Sequence, residues 1–216
     1  MSPAFRESIH IVLPLTVVWF ISMMLPVGWA IAICVLLLIL ILFTLYFFRD
    51  PERLIPEDPL AIVSAADGTV TAIDEIESAP FGQGKLKRIS VFLSVFDVHI
   101  NRVPYQGVIR EIQHTAGKFL DVRIPESVLL NERQDWLLET TQGNLVVRQI
   151  AGLIARRIVA WSKKGDLVEK GHRFGMIRFG SRTEIYLPAS CTVVINVGQQ
   201  VEGGSTIVAK WASRPT

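Results

Sequence analysis

The chain has 216 residues, half of them hydrophobic, and its 22 basic against 20 acidic side chains leave a formal net charge of +2. That balance excludes the strongly basic surface of a general nucleic-acid binder, so no nucleic-acid partner is expected. Two cysteines, Cys34 and Cys191, make neither a disulfide framework nor a metal or redox spacing, in keeping with a reducing compartment.

In chain order, the first feature is apolar continuity. No Lys, Arg, Asp or Glu occurs from Ile9 to Phe48. A helix crossing the hydrocarbon core needs about 20 apolar residues, and Trp29 to Phe48 supplies them unaided. Ile9 to Leu25 is shorter and carries Pro14, so it either spans or lies as a re-entrant or interfacial segment. A cleaved signal peptide fits poorly, because Arg6 is offset by Glu7 and no small-x-small site precedes the second run. Arg6 lies before the pair, and Arg49 and Arg53 after it. The positive-inside rule therefore predicts a hairpin in the cell (inner) membrane with both ends cytoplasmic and Pro26-Val27-Gly28 as the external turn. Residues 1–49 are expected to be the membrane anchor and 50–216 a separate domain.

At Arg49-Asp50-Pro51 the pattern changes to short β-branched runs bounded by Gly, Pro, Asn or Asp. The runs are Val63–Ile73, Arg88–Leu93, Gly107–Thr115, Asn144–Ile150, Ile158–Ser162, Glu184–Leu187 and Cys191–Val197. They predict an all-β or β-rich α+β domain, with helical character confined to a turn at Asp97–His99 and a stretch at Gly152–Arg157. Gly165 to Gly171 and Gly198 to Gly204 share the form G-x-x-V-x-x-G, a pair of turns of the kind that biotinyl and lipoyl carrier domains use in a flattened β-sandwich. A carrier would need a Lys at the hairpin tip, where this chain has Gly180-Ser181-Arg182.

Four segments carry candidate chemistry: Ser64-Ala65-Ala66-Asp67-Gly68, Phe96-Asp97-Val98-His99-Ile100-Asn101-Arg102, Gly117-Lys118-Phe119, and Phe174 to Arg182. Taken alone, Asp67-Gly68 and Gly180-Ser181 are ordinary turn signals and His99 a core histidine. His10, His114 and His172 suit an interface, a strand end and a turn. No two histidines have helical ligand spacing, which disfavours a zinc or iron enzyme. Together, however, Asp, His and Ser suffice to activate a hydroxyl. A triad hydrolase would present its serine on G-x-S-x-G in an α/β sheet, and this chain has neither. A serine at a Gly-Ser turn in a β domain has another target, its own preceding carbonyl.

Six motifs in this order resemble the phosphatidylserine decarboxylase family, in particular its short bacterial and archaeal proenzymes. They are Phe47-Phe48-Arg49-Asp50-Pro51-Glu52-Arg53, Asp67-Gly68, Leu93 to Arg102, Gly117-Lys118-Phe119, Asn131-Glu132-Arg133 and Arg178-Phe179-Gly180-Ser181-Arg182, and the likeness runs from about Phe47 to Ala209. The resemblance implies self-cleavage between Gly180 and Ser181 into a large chain, 1–180, and a small chain, 181–216, with Asp67, His99 and Ser181 as the processing triad. It implies that Ser181 becomes a covalent pyruvoyl cofactor, which forms a Schiff base with the substrate amine and accepts the carbanion's electrons, with His99 as proton donor and no metal. Position 65 is Ala where the wider family commonly has Pro, and Arg102 and Arg182 replace a His and a Thr or Ser of longer members. These two arginines are candidates for holding the lipid phosphate or carboxylate. The implied partners are phosphatidylserine, an anionic bilayer and the two chains of one proenzyme, with a homo-oligomer left open. The competing readings are a membrane-tethered carrier-like binding module without catalysis and a triad phospholipid hydrolase.

Overall fold

The computed structural model describes residues 2–153, 157–178 and 181–212. The chain divides into two compact units, residues 1–51 and 52–216.

The first unit is a pair of apolar helices, α1 (Pro3–Ser22) and α2 (Val27–Phe47), each long and apolar enough to cross a membrane by length and composition. Only 11% and 17% of their most apolar windows are buried within the chain, unlike the core helices of a soluble domain. Helix α1 opens on Ser2, whose side chain accepts from the Phe5 N–H at 3.2 Å, with Pro3 in the first turn where its missing N–H is no loss. It continues through Pro14. The helices are tied by the Trp19 indole N–H, which donates to the Cys34 carbonyl at 3.1 Å, and by Ser22 Oγ, 3.1 Å from Cys34 Sγ. The connection lies earlier than the expected Pro26–Gly28 turn: Pro26 is the cap of α2, and Val27 and Gly28 are already helical.

The second unit is β-rich, as expected. In chain order its strands are β1 (Ala61–Val63), β2 (Gly68–Ala79), β3 (Gly82–Leu93), β4 (Ile100–Arg102), β5 (Gly107–Thr115), β6 (Arg133–Glu139), β7 (Asn144–Ala151), β8 (Ile158–Ala160), β9 (Leu167–Val168), β10 (Arg173–Ile177), β11 (Ser181–Pro188), β12 (Thr192–Val193), β13 (Gln200–Val201) and β14 (Ile207–Lys210). A single turn of helix, α3 (Ser127–Leu130), precedes β6. Eight strands form one antiparallel sheet in the order β13-β2-β3-β11-β7-β6-β5-β9, and two three-stranded sheets have the orders β1-β14-β12 and β4-β10-β8.

Two expectations need correction. The run Val63–Ile73 is two strands in different sheets. It breaks before Gly68, which has a φ of +141° and so little room that a Cβ would sit 2.0 Å from the Phe92 carbonyl oxygen. The Cys191–Val197 run shortens to β12. Of the helical stretch Gly152–Arg157, residues 154–156 lie outside those described, and Gly152, Leu153 and Arg157 are irregular.

The two G-x-x-V-x-x-G segments have matching conformations, with Gly165, Gly171, Gly198 and Gly204 at φ of +93°, +80°, +88° and +83°. Their valines end β9 and β13, the two edges of the large sheet. These edges come together, since a methyl group on Gly204 would meet Gly171 Cα at 3.6 Å and Ile55 Cδ1 at 3.4 Å. The sheet is therefore curled almost onto itself, and its exposed edges are reduced to two residues each.

Strand alternation sorts β11 into two faces. Ser181, Thr183, Ile185 and Leu187 share the face that carries Leu93, Val91 and Ile89 of β3 and Ala151, Gln149, Val147 and Leu145 of β7. Most of the apolar residues in this set belong to the main core. The other face carries Arg182, Glu184 and Tyr186. Glu184 is fully buried there, in an ion pair with Arg182 at 2.7 Å and with the Tyr186 hydroxyl donating to it. Burial and the neighbouring Glu184 push the Tyr186 phenol well above its ordinary range. Arg88 holds Asp74 in a two-pronged pair at 2.9 and 2.5 Å on this face, which raises the guanidinium further above its usual value.

Candidate active site

Ser181 is the first residue of β11, hydrogen-bonded into the centre of the large sheet between Leu93 of β3 and Ala151 of β7. It is fully buried, and its hydroxyl oxygen has no hydrogen-bond partner among the described residues. A buried polar group left without a partner costs about 1–3 kcal/mol, and such groups persist where function requires them. Gly180, the other side of the expected cleavage site, lies outside the described residues.

His99 is fully buried just before β4. Its carbonyl accepts from the Ile177 N–H at 3.3 Å, and Ile177 packs with Ala151, the neighbour of Ser181 across the sheet. The fold thus brings His99 to the end of the sheet where Ser181 stands. The imidazole is oriented by a 2.9 Å contact between Nδ1 and the main-chain carbonyl of Asp97. A carbonyl only accepts, so Nδ1 carries the proton and Nε2 is the basic nitrogen. Asp97 is itself fixed, its carboxylate accepting from the Ser94 N–H and hydroxyl, both at 2.8 Å.

Asp67 is placed differently. Its carboxylate accepts from Arg53 at 2.5 Å and from the Gly203 N–H at 2.8 Å, and Arg53 also reaches Glu202 at 2.8 Å. Burial raises its pKa above the ordinary aspartate value, against the opposing pull of the Gly203 N–H and Arg53. Asp67 secures the turn into β2, while Ala65 in the same turn accepts from the Arg102 N–H at 2.9 Å and from Asn101 Nδ2 at 3.3 Å. The carboxylate thereby supports the strand that comes directly after His99.

The segment between β5 and β6 walls this end of the sheet. Phe119 packs with Ala151 and Ile177 on the Ser181 side, whereas Val122 packs with Phe92 and Ile150 on the other. A groove of about 310 Å³ opens here, lined by Leu93, Ser94, Val95, Val122, Arg123 and Leu153 among others.

The phosphatidylserine decarboxylase family model matches residues 40–209. The chain belongs to this family. Among curated relatives, it is 47% identical to the phosphatidylserine decarboxylase proenzyme of Pelobacter propionicus, over 80% of this chain and 78% of that one. It is 43% identical to the proenzyme of Desulfotalea psychrophila, over 78% and 79% of the two chains. With the proenzyme of Erythrobacter litoralis the identity is 46%, over 77% and 72%.

Several motifs shared with this decarboxylase family gain a physical reason here. Arg53, from the motif after the apolar helices, is the partner of Asp67. Gly117 lies so close to the chain at Leu130–Glu132 that a Cβ would come within 2.5 Å of Leu130 O and Asn131 C. Asn131 is fully buried with its amide fully engaged: Oδ1 accepts from the Leu120 N–H at 2.9 Å, and Nδ2 donates to the carbonyls of Leu120 and Ala151, both at 2.8 Å. Asn131 therefore staples the wall to the residue beside Ser181. Asn131→Ala removes three hydrogen bonds to the main chain, the one to Ala151 fully buried, and is expected to destabilise the chain by about 2 kcal/mol, measured as a lower denaturant midpoint, with slower processing.

The two candidate arginines diverge. Arg102 is buried and donates to the Gly171 carbonyl at 3.2 Å. Arg182 projects from the face opposite Ser181 and holds Glu184 and Ser90 Oγ, the latter at 2.9 Å. Three residues to which the sequence alone assigns no role acquire one in the fold: Asp97 orients His99, Asn131 is the staple, and Arg53 holds Asp67. The signal for Asp97 is its position two residues before His99, but its working group is the main chain.

Proposed function

We propose that this chain decarboxylates phosphatidylserine to phosphatidylethanolamine and CO2, using a pyruvoyl group made from its own Ser181. The observation that carries this reading is the fully buried Ser181 hydroxyl, without a partner among the described residues, at the first position of β11, in a chain that belongs to the decarboxylase family.

In maturation, His99 Nε2 takes the Ser181 hydroxyl proton while Oγ attacks the Gly180 carbonyl carbon. The peptide C–N bond breaks, and an ester links the two residues. Loss of the Ser181 Cα proton then eliminates the Gly180 carboxylate, ending the large chain at 180. The dehydroalanine left at 181 takes up one water and releases ammonia. The group so formed supplies an electron sink for decarboxylation. His99, buried and held at Nδ1, is placed to return a proton to the substrate carbon. Asp67 completes the processing set by holding the turn that supports β4, the strand next in the chain after His99.

Arg102 and Arg182 are the cationic candidates for the lipid's phosphate or carboxylate. Either would exchange a protein acceptor, Gly171 O or Glu184, for a lipid oxygen. The two apolar helices anchor the protein in the inner membrane, with residues 50–216 on the cytoplasmic side against anionic lipid, where homo-oligomers can form. The paired glycine turns support a sandwich-like likeness to biotinyl and lipoyl carriers.

The test is release of CO2 and phosphatidylethanolamine from phosphatidylserine in mixed micelles by the purified full chain. Activity should be abolished by hydroxylamine, which captures the carbonyl. An active protein whose intact mass shows no cleavage would overturn the reading.

A further inference from the structure

Asn101, from the motif that contains His99, stands at the centre of a buried polar series. The Trp136 indole N–H donates to Gln149 Oε1 at 2.7 Å, and Gln149 Nε2 donates to Asn101 Oδ1 at 2.7 Å. Asn101 Nδ2 in turn donates to Thr183 Oγ1 at 3.2 Å. All four residues are buried, Gln149 and Asn101 completely and Thr183 to 1% exposure.

The direction of this series is chemically determined. An indole N–H can only donate, so Gln149 must present its oxygen to Trp136 and its NH2 to Asn101. Asn101 must then present its oxygen to Gln149 and its NH2 to Thr183. Thr183 Oγ1 ends the series as an acceptor, and its own proton has no acceptor among the described residues. Two residues earlier on the same face of β11 is Ser181, whose oxygen has no donor among the described residues. Alternate strand residues stand about 7 Å apart at Cα, and in the proenzyme the two hydroxyls make no hydrogen bond to each other.

We propose that Thr183 becomes the hydrogen-bond donor to the carbonyl oxygen formed at position 181 by processing, with Trp136, Gln149 and Asn101 holding its proton in that direction. A neutral donor aimed at that oxygen polarises the carbonyl toward attack by an amine without placing a charge in the buried site. The proposal rests on the pyruvoyl reading of Ser181.

The experiment compares the wild-type full chain with Thr183→Val, Thr183→Ser and Trp136→Phe after processing. Two readouts are independent of turnover: the carbonyl stretching frequency of the small chain by isotope-edited infrared spectroscopy, and the rate of hydrazone formation with phenylhydrazine. Thr183→Val should raise the stretching frequency and slow hydrazone formation about tenfold, the worth of one hydrogen bond. Thr183→Ser should restore both. Trp136→Phe removes the group that sets the direction and should move both readouts part of the way. Wild-type values in Thr183→Val would overturn the proposal. If that variant does not fold, wild-type values in Trp136→Phe would do the same for the directed series. A wild-type chain with no carbonyl at all would instead overturn the pyruvoyl reading, so the two failures are distinguishable.

Discussion

A Ser181→Ala chain should remain full length on a denaturing gel and by intact mass, while the wild-type protein resolves into chains 1–180 and 181–216. The reason is categorical. The proposed attack on residue 180 uses the Ser181 hydroxyl, and no other residue can carry that oxygen into the same ester. Stability gives this prediction a second, opposite sign. The wild-type hydroxyl is buried without a partner among the described residues, a condition that costs about 1–3 kcal/mol. Replacing the hydroxymethyl side chain by methyl in the same apolar surroundings should leave the proenzyme as stable as before or more so, as expected where a native group serves reaction rather than folding. A Ser181→Ala chain that is uncleaved because it melts far below the wild-type proenzyme would deny that explanation.

His99→Ala should accumulate uncleaved proenzyme, with cleavage slowed about 10²–10⁴-fold, the usual contribution of a positioned acid–base group. The imidazole stands at the Ser181 end of the sheet with its Nδ1 proton committed to the Asp97 carbonyl, so the basic nitrogen is defined before the reaction begins. Because that orienting bond does not use Asp67, Asp67→Asn should have a smaller effect. It keeps an oxygen for the Gly203 N–H and gives up only the charge facing Arg53. Equal losses in the two variants would show that Asp67 acts on the imidazole itself. After slow cleavage is allowed to finish, turnover per pyruvoyl group isolates the second role of His99, and normal turnover would confine it to maturation.

The β-rich character of residues 52–216 and the apolar helical pair were legible because period and composition report burial directly. The glycine repeat was legible as well, since all four glycines do take positive φ. The partnership around His99 was not legible. A side-chain triad is visible in a sequence, but the group that orients this imidazole is a peptide carbonyl, which every residue has. The pairing of Arg53 with Asp67 joins residues with no periodic relation, so only the tertiary fold could reveal it. The orientation of Arg182 is a different case. Once Ser181 is taken as facing the core, the two-residue period of a strand turns Arg182 to the other face, and the sequence contained that inference.

The proposed cleavage before Ser181 would cut the chain at the head of a centre strand. The fragment beginning at Ser181 contains β11, β12, β13 and β14. In the large sheet β11 lies between β3 and β7, β13 borders β2, and β14 pairs with β1 in another sheet. The fragment is thus interleaved with the rest of the domain at three separate places, and one of them is the middle of an eight-stranded sheet. Breaking one peptide bond opens no route of escape, because withdrawal would require unzipping ladders on both sides of β11 at once. The proposed self-cleavage would behave as an internal nick. The two products are expected to co-purify without any covalent link and to part only under conditions that unfold the domain, and chains synthesised apart would face the full problem of folding a centre strand in trans.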